Sequence, residues 1–215
     1  PKQTMEDLYD SMKRVVSYDI SHVSCYSLIL EQKTKLYNQV LDKKVVLPSN
    51  ETEEQMYNEV INFLTENGYV QYEISNFARP GHESIHNSSY WRNIEYYGLG
   101  AGAHGYIDGI RYANQGALKF YIDSMEEKGH ARREENKVTL NEQIEEEMFL
   151  GLRLLEGVDL VAFEEKYGKK VQEIFKDIVE RNIRDGYLEI VGNKLRLTRK
   201  GLFYGNDVFS EFLLN

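Results

Sequence analysis

The side chains of this 215-residue chain best equipped for chemistry crowd into one stretch, Tyr72 to Gly105, which reads YEISNFARPGHESIHNSSYWRNIEYYGLGAGAHG. Three of the five histidines lie here (His82, His86, His104), together with the only tryptophan, Trp91, and glycines at Gly98, Gly100, Gly102 and Gly105. Imidazole can ligate a metal or move a proton, indole and phenol rings pack on flat ligands, and glycine lets a backbone approach a ligand closely. Set this near to one another, they predict a pocket. A structural span of the same length would be built from periodic apolar residues. Two plainer readings compete: His86, paired with Asn87 near Tyr90 and Trp91, fastens a loop, or the glycines serve a tight strand-turn crossing. His82 lies in a Pro-Gly loop and reads as solvated, while His22 and His130 have no supporting neighbours.

Gly100-Ala-Gly-Ala-His-Gly105 matches the dinucleotide fingerprint G-x-G-x-x-G letter for letter. That motif works only where a helix N-terminus follows to receive a pyrophosphate. Here Tyr106 to Tyr112 reads instead as a hairpin around Asp108-Gly109, which sets the dinucleotide reading aside.

Elements that would position this stretch can be placed on both sides of it. A helix capped by Thr4 carries Leu8, Met12, Val15 and Val16 on one side. His22 to Leu30 is a nearly continuous apolar run, the pattern of a strand buried on both faces of a parallel sheet. After a polar segment to Pro48, Asn50 and Glu53 suggest a capping box for a helix using Met56, Tyr57, Val60, Ile61 and Leu64 and stopping at Gly68. Tyr69 to Ser75 is again strand-like. This order suggests parallel βα units of an α/β barrel or open sheet, with further units upstream of Pro1.

A helix over Ala117 to Lys128 uses Leu118, Tyr121, Ile122 and Met125 and stops at Gly129. The basic cluster at His130, Arg132 and Arg133 reads as a solvated linker. Residues 1–137 therefore form one predicted domain and 138–215 a second. The second begins with a Thr139/Glu142 capping box and a helix to about Leu155, followed by helices over Asp159–Tyr167 and Val171–Asp185. Strands around Gly192-Asn193 and a terminal helix complete a winged-helix-like order. The third helix carries Lys176, Arg181 and Arg184 but also Glu173, Asp177, Glu180 and Asp185, so it has no electrostatic footprint for a duplex.

The net charge of −9 repels phosphate backbones and argues against a nucleic-acid partner. Hydrophobic residues at 41% and charged residues at 28% are ordinary for a soluble globular protein, and no apolar run is long enough for a membrane span. The sole cysteine, Cys25, allows no internal disulfide and suggests the cytoplasm.

The residues now in view resemble the HemW-like heme chaperone branch of the oxygen-independent coproporphyrinogen III oxidase (HemN-like) radical S-adenosylmethionine proteins. The resemblance rests on Pro1-Lys-Gln-Thr4, Tyr72-Glu-Ile-Ser-Asn-Phe-Ala78, the His86-Asn87-x-x-Tyr90-Trp91 motif, Gly98 to Gly105, and the region from Leu195 through Thr198 to Gly201. It covers essentially the whole chain, and the His-Asn-x-x-Tyr-Trp motif is its most specific element. The resemblance implies an α/β fold: the second part of a partial (β/α) radical-SAM barrel, then a mostly helical, winged-helix-like C-terminal domain.

It also implies a [4Fe-4S] cluster and S-adenosylmethionine in the whole protein. The family's cysteine triplet has no counterpart here, so the chain by itself is expected to bind no cluster and cleave no S-adenosylmethionine. Cofactor contacts carried over by the resemblance fall on Ile29 and His104, with Gly98, Gly100 and Gly102 beside the latter. His86, Asn87, Tyr90 and Trp91 become the candidate heme site, with His86 as a candidate iron ligand.

The leading expectation is a heme chaperone that binds heme and passes it to acceptor proteins. The alternatives are an oxygen-independent coproporphyrinogen III oxidase of porphyrin biosynthesis, favoured less because of His86 to Trp91, and an acidic winged-helix interaction module. An exposed apolar sheet edge and self-association, as in a homodimer, are expected as well.

Overall fold

Thr4 begins the first helix, α1 (Met5–Ser17): its hydroxyl accepts the Asp7 N–H, and the Asp7 carboxylate accepts the Thr4 N–H. The chain is described by a computed structural model over residues 1–214, and it divides into two compact units, Pro1–Ser84 and Ile85–Asn215. In the first unit α1 is followed by β1 (His22–Ser24), α2 (Lys35–Leu41), α3 (Asn50–Glu66), β2 (Val70–Gln71) and β3 (Asn76–Ala78). Met12 of α1 and Val60, Ile61 and Leu64 of α3 pack with Val23, Tyr69 and Phe77 into the core. Ser49 caps α3 by accepting the Thr52 N–H, one residue before the expected cap, because Ser49 is the last residue with extended backbone.

The sheet of this unit has the order β1-β3-β2, and both pairings are antiparallel, with His22 opposite Ala78 and Val70 opposite Ala78 on the other side. This corrects the parallel pairing expected from the sequence. Only four residues, Tyr72 to Ser75, join β2 to β3, and so short a connection can only reverse the chain. The long apolar run is corrected too: ladder pairing ends at Ser24, and Tyr26, Leu28 and Ile29 are exposed, Ile29 at 68%. A strand buried on both faces needs a layer packed over each, and Tyr26, Leu28 and Ile29 are not covered in this way among the described residues.

The second unit opens with α4 (Ile85–Trp91), which turns the expected loop around the histidine motif into two turns of helix. Then come β4 (His104–Ile107), β5 (Ile110–Asn114), α5 (Leu118–Lys128) and β6 (Arg132–Lys137). β4 and β5 form the expected hairpin, with Asp108 and Gly109 both at positive φ (51° and 71°) as a type I′ turn requires. The charged stretch read as a linker is the edge strand β6, paired antiparallel with β5. Its Arg-Arg-Glu-Glu-Asn-Lys sequence hides the strand signal and suits an edge facing water. No residue of α5 is buried, so the face expected to use Leu118, Ile122 and Met125 stays exposed.

α6 (Leu140–Gly151) starts with the expected capping box between Thr139 and Glu142. It is followed by β7 (Val158–Asp159), α7 (Leu160–Tyr167), α8 (Val171–Ile174), α9 (Lys176–Arg184), β8 (Leu188–Val191), β9 (Lys194–Leu197), α10 (Arg199–Phe203) and α11 (Gly205–Ser210). The expected helix over Val171–Asp185 is broken at Phe175 (φ −118°, ψ 30°), whose buried ring packs edge-on against Phe212 at 5.1 Å. Burial of that ring outweighs helix continuity here. The terminal helix divides in the same manner at Tyr204. β7, unrecognised in the sequence, joins the β8–β9 hairpin to give a sheet of order β7-β9-β8. Helices packed on a three-stranded antiparallel sheet give this part its winged-helix-like form. Among the described residues no helix is long and apolar enough to cross a membrane.

Candidate functional site

On α4, His86 and Tyr90 stand four residues apart and therefore on one face. His86 Nε2 lies 2.9 Å from the Tyr90 hydroxyl, and the two rings meet at 4.7 Å and 81°. Tyr90 in turn packs edge-on against Tyr96 at 4.4 Å. Tyr96 exchanges both backbone hydrogen bonds with Tyr106 of β4, so the segment after α4 lies along the hairpin as a further short pairing.

The glycine ribbon from Gly98 to Ala103 is strapped to the same hairpin. The Gly98 N–H donates to the Tyr112 hydroxyl (2.9 Å), the buried Asn114 amide donates to the carbonyls of Gly98 and Gly100 (3.0 Å each), and the Gly102 N–H donates to the Gln115 carbonyl (2.8 Å). A Cβ on Gly98 would stand 2.4 Å from the His104 carbonyl oxygen, and one on Gly105 would stand 2.2 Å from the Tyr112 ring. These two glycines are needed for backbone and ring to approach. Gly100 and Gly102 have positive φ (103° and 72°), and space beside Gly100 is open.

Between α4 and this ribbon lies a hollow of about 550 Å³, lined by His86, Tyr90, Tyr96, Tyr97, Gly98, Leu99 and Gly102 to His104. Its size falls in the ~300–1,000 Å³ range of cofactor and small-molecule sites. The structure thus brings His86, Tyr90, Gly98, Gly102 and His104 together. Trp91 faces a neighbouring hollow of about 290 Å³ with Asn93, Arg111 and Leu150, and Tyr90 and Tyr96 form the wall common to both. Arg153 lies over the indole at 4.3 Å, and the buried indole N–H has no hydrogen-bond partner among the described residues. Asn87 is half-buried on α4 and lines neither hollow. Ile29 belongs to the first unit, on its exposed stretch.

Sequence reasoning missed Tyr96, Tyr97, Leu99 and Ala103 as lining residues, and Tyr112, Asn114, Arg111 and Glu146 as supports. Arg111 of β5 is gripped at both ends of its fork by Glu146 of α6, at 2.8 and 2.7 Å, and reaches the Asn93 side-chain oxygen at 3.2 Å. Burial works against the Arg111 charge, but the Glu146 carboxylate more than compensates and holds its pKa above the usual value. Burial also pushes the Tyr96 hydroxyl up, so it stays a neutral phenol. An Asn within a strand-like pattern, at Asn114, was the available sign of a strap, since a buried amide there must find partners.

For an iron-sulfur cluster the donors do not fit. Cys25 is the one thiol, burial pushes it up to about 11, and no cluster of three or more His, Cys, Asp or Glu side chains suited to a metal ion occurs among the described residues.

Residues 138–204 match the HemN C-terminal domain family. The chain is 45% identical over 213 residues to the heme chaperone HemW of Bacillus subtilis, covering 99% of this chain and 56% of that protein. It is 40% identical over 215 residues to the heme chaperone HemW of Lactococcus lactis, covering 100% of this chain and 56% of that protein. It thus spans about half the length of the curated relatives it matches. The coproporphyrinogen III oxidase HemN of Escherichia coli, described as a radical SAM enzyme, superposes with a TM-score of 0.76 over 99% of this chain and 52% of that one, at 21% identity. The chain is therefore a relative of the HemW-like proteins, and it has the α/β fold of the corresponding part of HemN.

Proposed function

We propose that the chain is part of a cytoplasmic heme chaperone, and that the 550 Å³ hollow between α4 and the glycine ribbon receives the heme before it passes to acceptor proteins. The observation that carries this reading is the lining itself, which gathers the His86 and His104 imidazoles, the phenol rings of Tyr90, Tyr96 and Tyr97, and Leu99 beside Gly98 and Gly102 around one hollow. Aromatic edges and apolar Leu99 suit a flat macrocycle, and imidazole and phenol are both iron donors. The relatives at 40–45% identity bear the name heme chaperone, which supports the same cargo. Residues 1–137 and 138–215 remain the proposed domains, and the [4Fe-4S] cluster and S-adenosylmethionine are assigned to the whole protein.

Titration of the full chain with hemin tests the reading. The expected result is a saturable Soret band that is lost in Ala103→Trp, where an indole fills the hollow. An Ala103→Trp variant that binds hemin as the parent does would refute this location. The HemN likeness supports one alternative, oxygen-independent coproporphyrinogen III oxidase activity. Turnover of coproporphyrinogen by the whole, cluster-reconstituted protein would favour it over the chaperone.

A further inference from the structure

We infer that Leu99 is the cover of the hollow: its side chain folds over the cargo after entry and sets how slowly the cargo leaves. This rests on the reading of the hollow as a heme site. Leu99 lines the hollow and yet is 86% exposed, more than any other large apolar side chain among the described residues. An aliphatic side chain held in water at the edge of a hollow has stabilisation still to gain from any flat apolar surface brought against it.

The ribbon holds this residue in place and leaves its side chain room to turn. The Asn114 amide donates to the carbonyls on both sides of Leu99, those of Gly98 and Gly100, at 3.0 Å each, and the Tyr112 hydroxyl accepts the Gly98 N–H at 2.9 Å. The backbone is therefore fixed before and after a single residue. Both chain neighbours of Leu99 are glycines, which bring no side chain to crowd it, and nothing lies within 4 Å of the place where a Gly100 Cβ would stand. Closing over the cargo then needs only rotation about the side-chain bonds, a fast step for an exposed residue. Ala101, on the same ribbon, is exposed too but lies outside the lining.

Such a cover acts on departure and leaves arrival alone. Incoming cargo meets a side chain that stands in solvent, so the rate of entry does not depend on it. Departing cargo must first draw the leucine off its face and return that area to water. The contact is to the face of the macrocycle, so it involves no bond to iron and no transfer of a proton or electron.

Stopped-flow release of hemin from the full chain into excess apomyoglobin tests the assignment. Leu99→Ser is expected to release hemin about tenfold faster, with Leu99→Ala between it and the parent, Leu99→Met close to the parent, and uptake unchanged within about twofold in all three. Ala101→Ser, a polar change on the part of the ribbon outside the lining, should release at the parental rate. Urea unfolding should be the same throughout, since both side chains are exposed. A Leu99→Ser variant that binds hemin and releases it at the parental rate would overturn the cover and leave the heme site standing. So would an Ala101→Ser variant that releases as fast as Leu99→Ser. A parent that takes up no hemin would sink both.

Discussion

Gly98 and Gly105 show how single atoms set the shape of the hollow. With the His104 carbonyl 2.4 Å from the site of a Gly98 Cβ, Gly98→Ala must push the ribbon off the hairpin. It is expected to cost about 1–3 kcal/mol in urea unfolding and to weaken hemin binding. Gly116→Ala is the control, with nothing within 4 Å and ordinary φ, and should change stability by less than about 0.5 kcal/mol. Arg111 and Glu146 make a second residue-scale case. Glu146 is only 14% exposed in its side chain, so Glu146→Ala would leave the half-buried guanidinium with a poorer set of acceptors. A loss of about 1.5–3 kcal/mol in unfolding free energy is expected, with looser seating of the hairpin that pairs with Tyr96.

At the scale of elements, α6 depends on its start. The Thr139 N–H and hydroxyl both bond the Glu142 carboxylate, at 2.7 and 2.8 Å, and hold its pKa below the ordinary glutamate value. Because the folded value is lowered, this contribution is present above the unfolded pKa and is lost as pH falls through the folded one. Thr139→Ala is expected to destabilise by about 1 kcal/mol near neutral pH, and its thermal midpoint should fall less steeply on acidification than the parent's. A parallel pair of pH curves would refute the hydroxyl's share in lowering the Glu142 pKa, the Thr139 N–H bond being kept in the variant. Caps of this sort were legible beforehand at Thr4 and Thr139, as was the Asp108-Gly109 turn, since each signal lies within three residues of its effect. α4 was not. His-Asn-Ser-Ser-Tyr-Trp has weak helix propensity, and its packing decides the conformation.

For the whole molecule, the exposed stretch at Tyr26, Leu28 and Ile29 predicts self-association. Sedimentation velocity should show concentration-dependent growth that Ile29→Lys reduces, and a sharply monomeric parent would count against it. Residue order alone determined the caps, the hairpin turns, the glycine helix stops and the concentration of donors between Tyr72 and Gly105, because those properties depend on near neighbours and on composition. Only the tertiary structure decided that the first sheet is antiparallel, that Trp91 turns to Arg153 while His86 and Tyr90 face the ribbon, and that Asn114 and Tyr112 strap Gly98 from 16 and 14 residues away. Those contacts form through strand register and packing between distant segments, which no local pattern encodes.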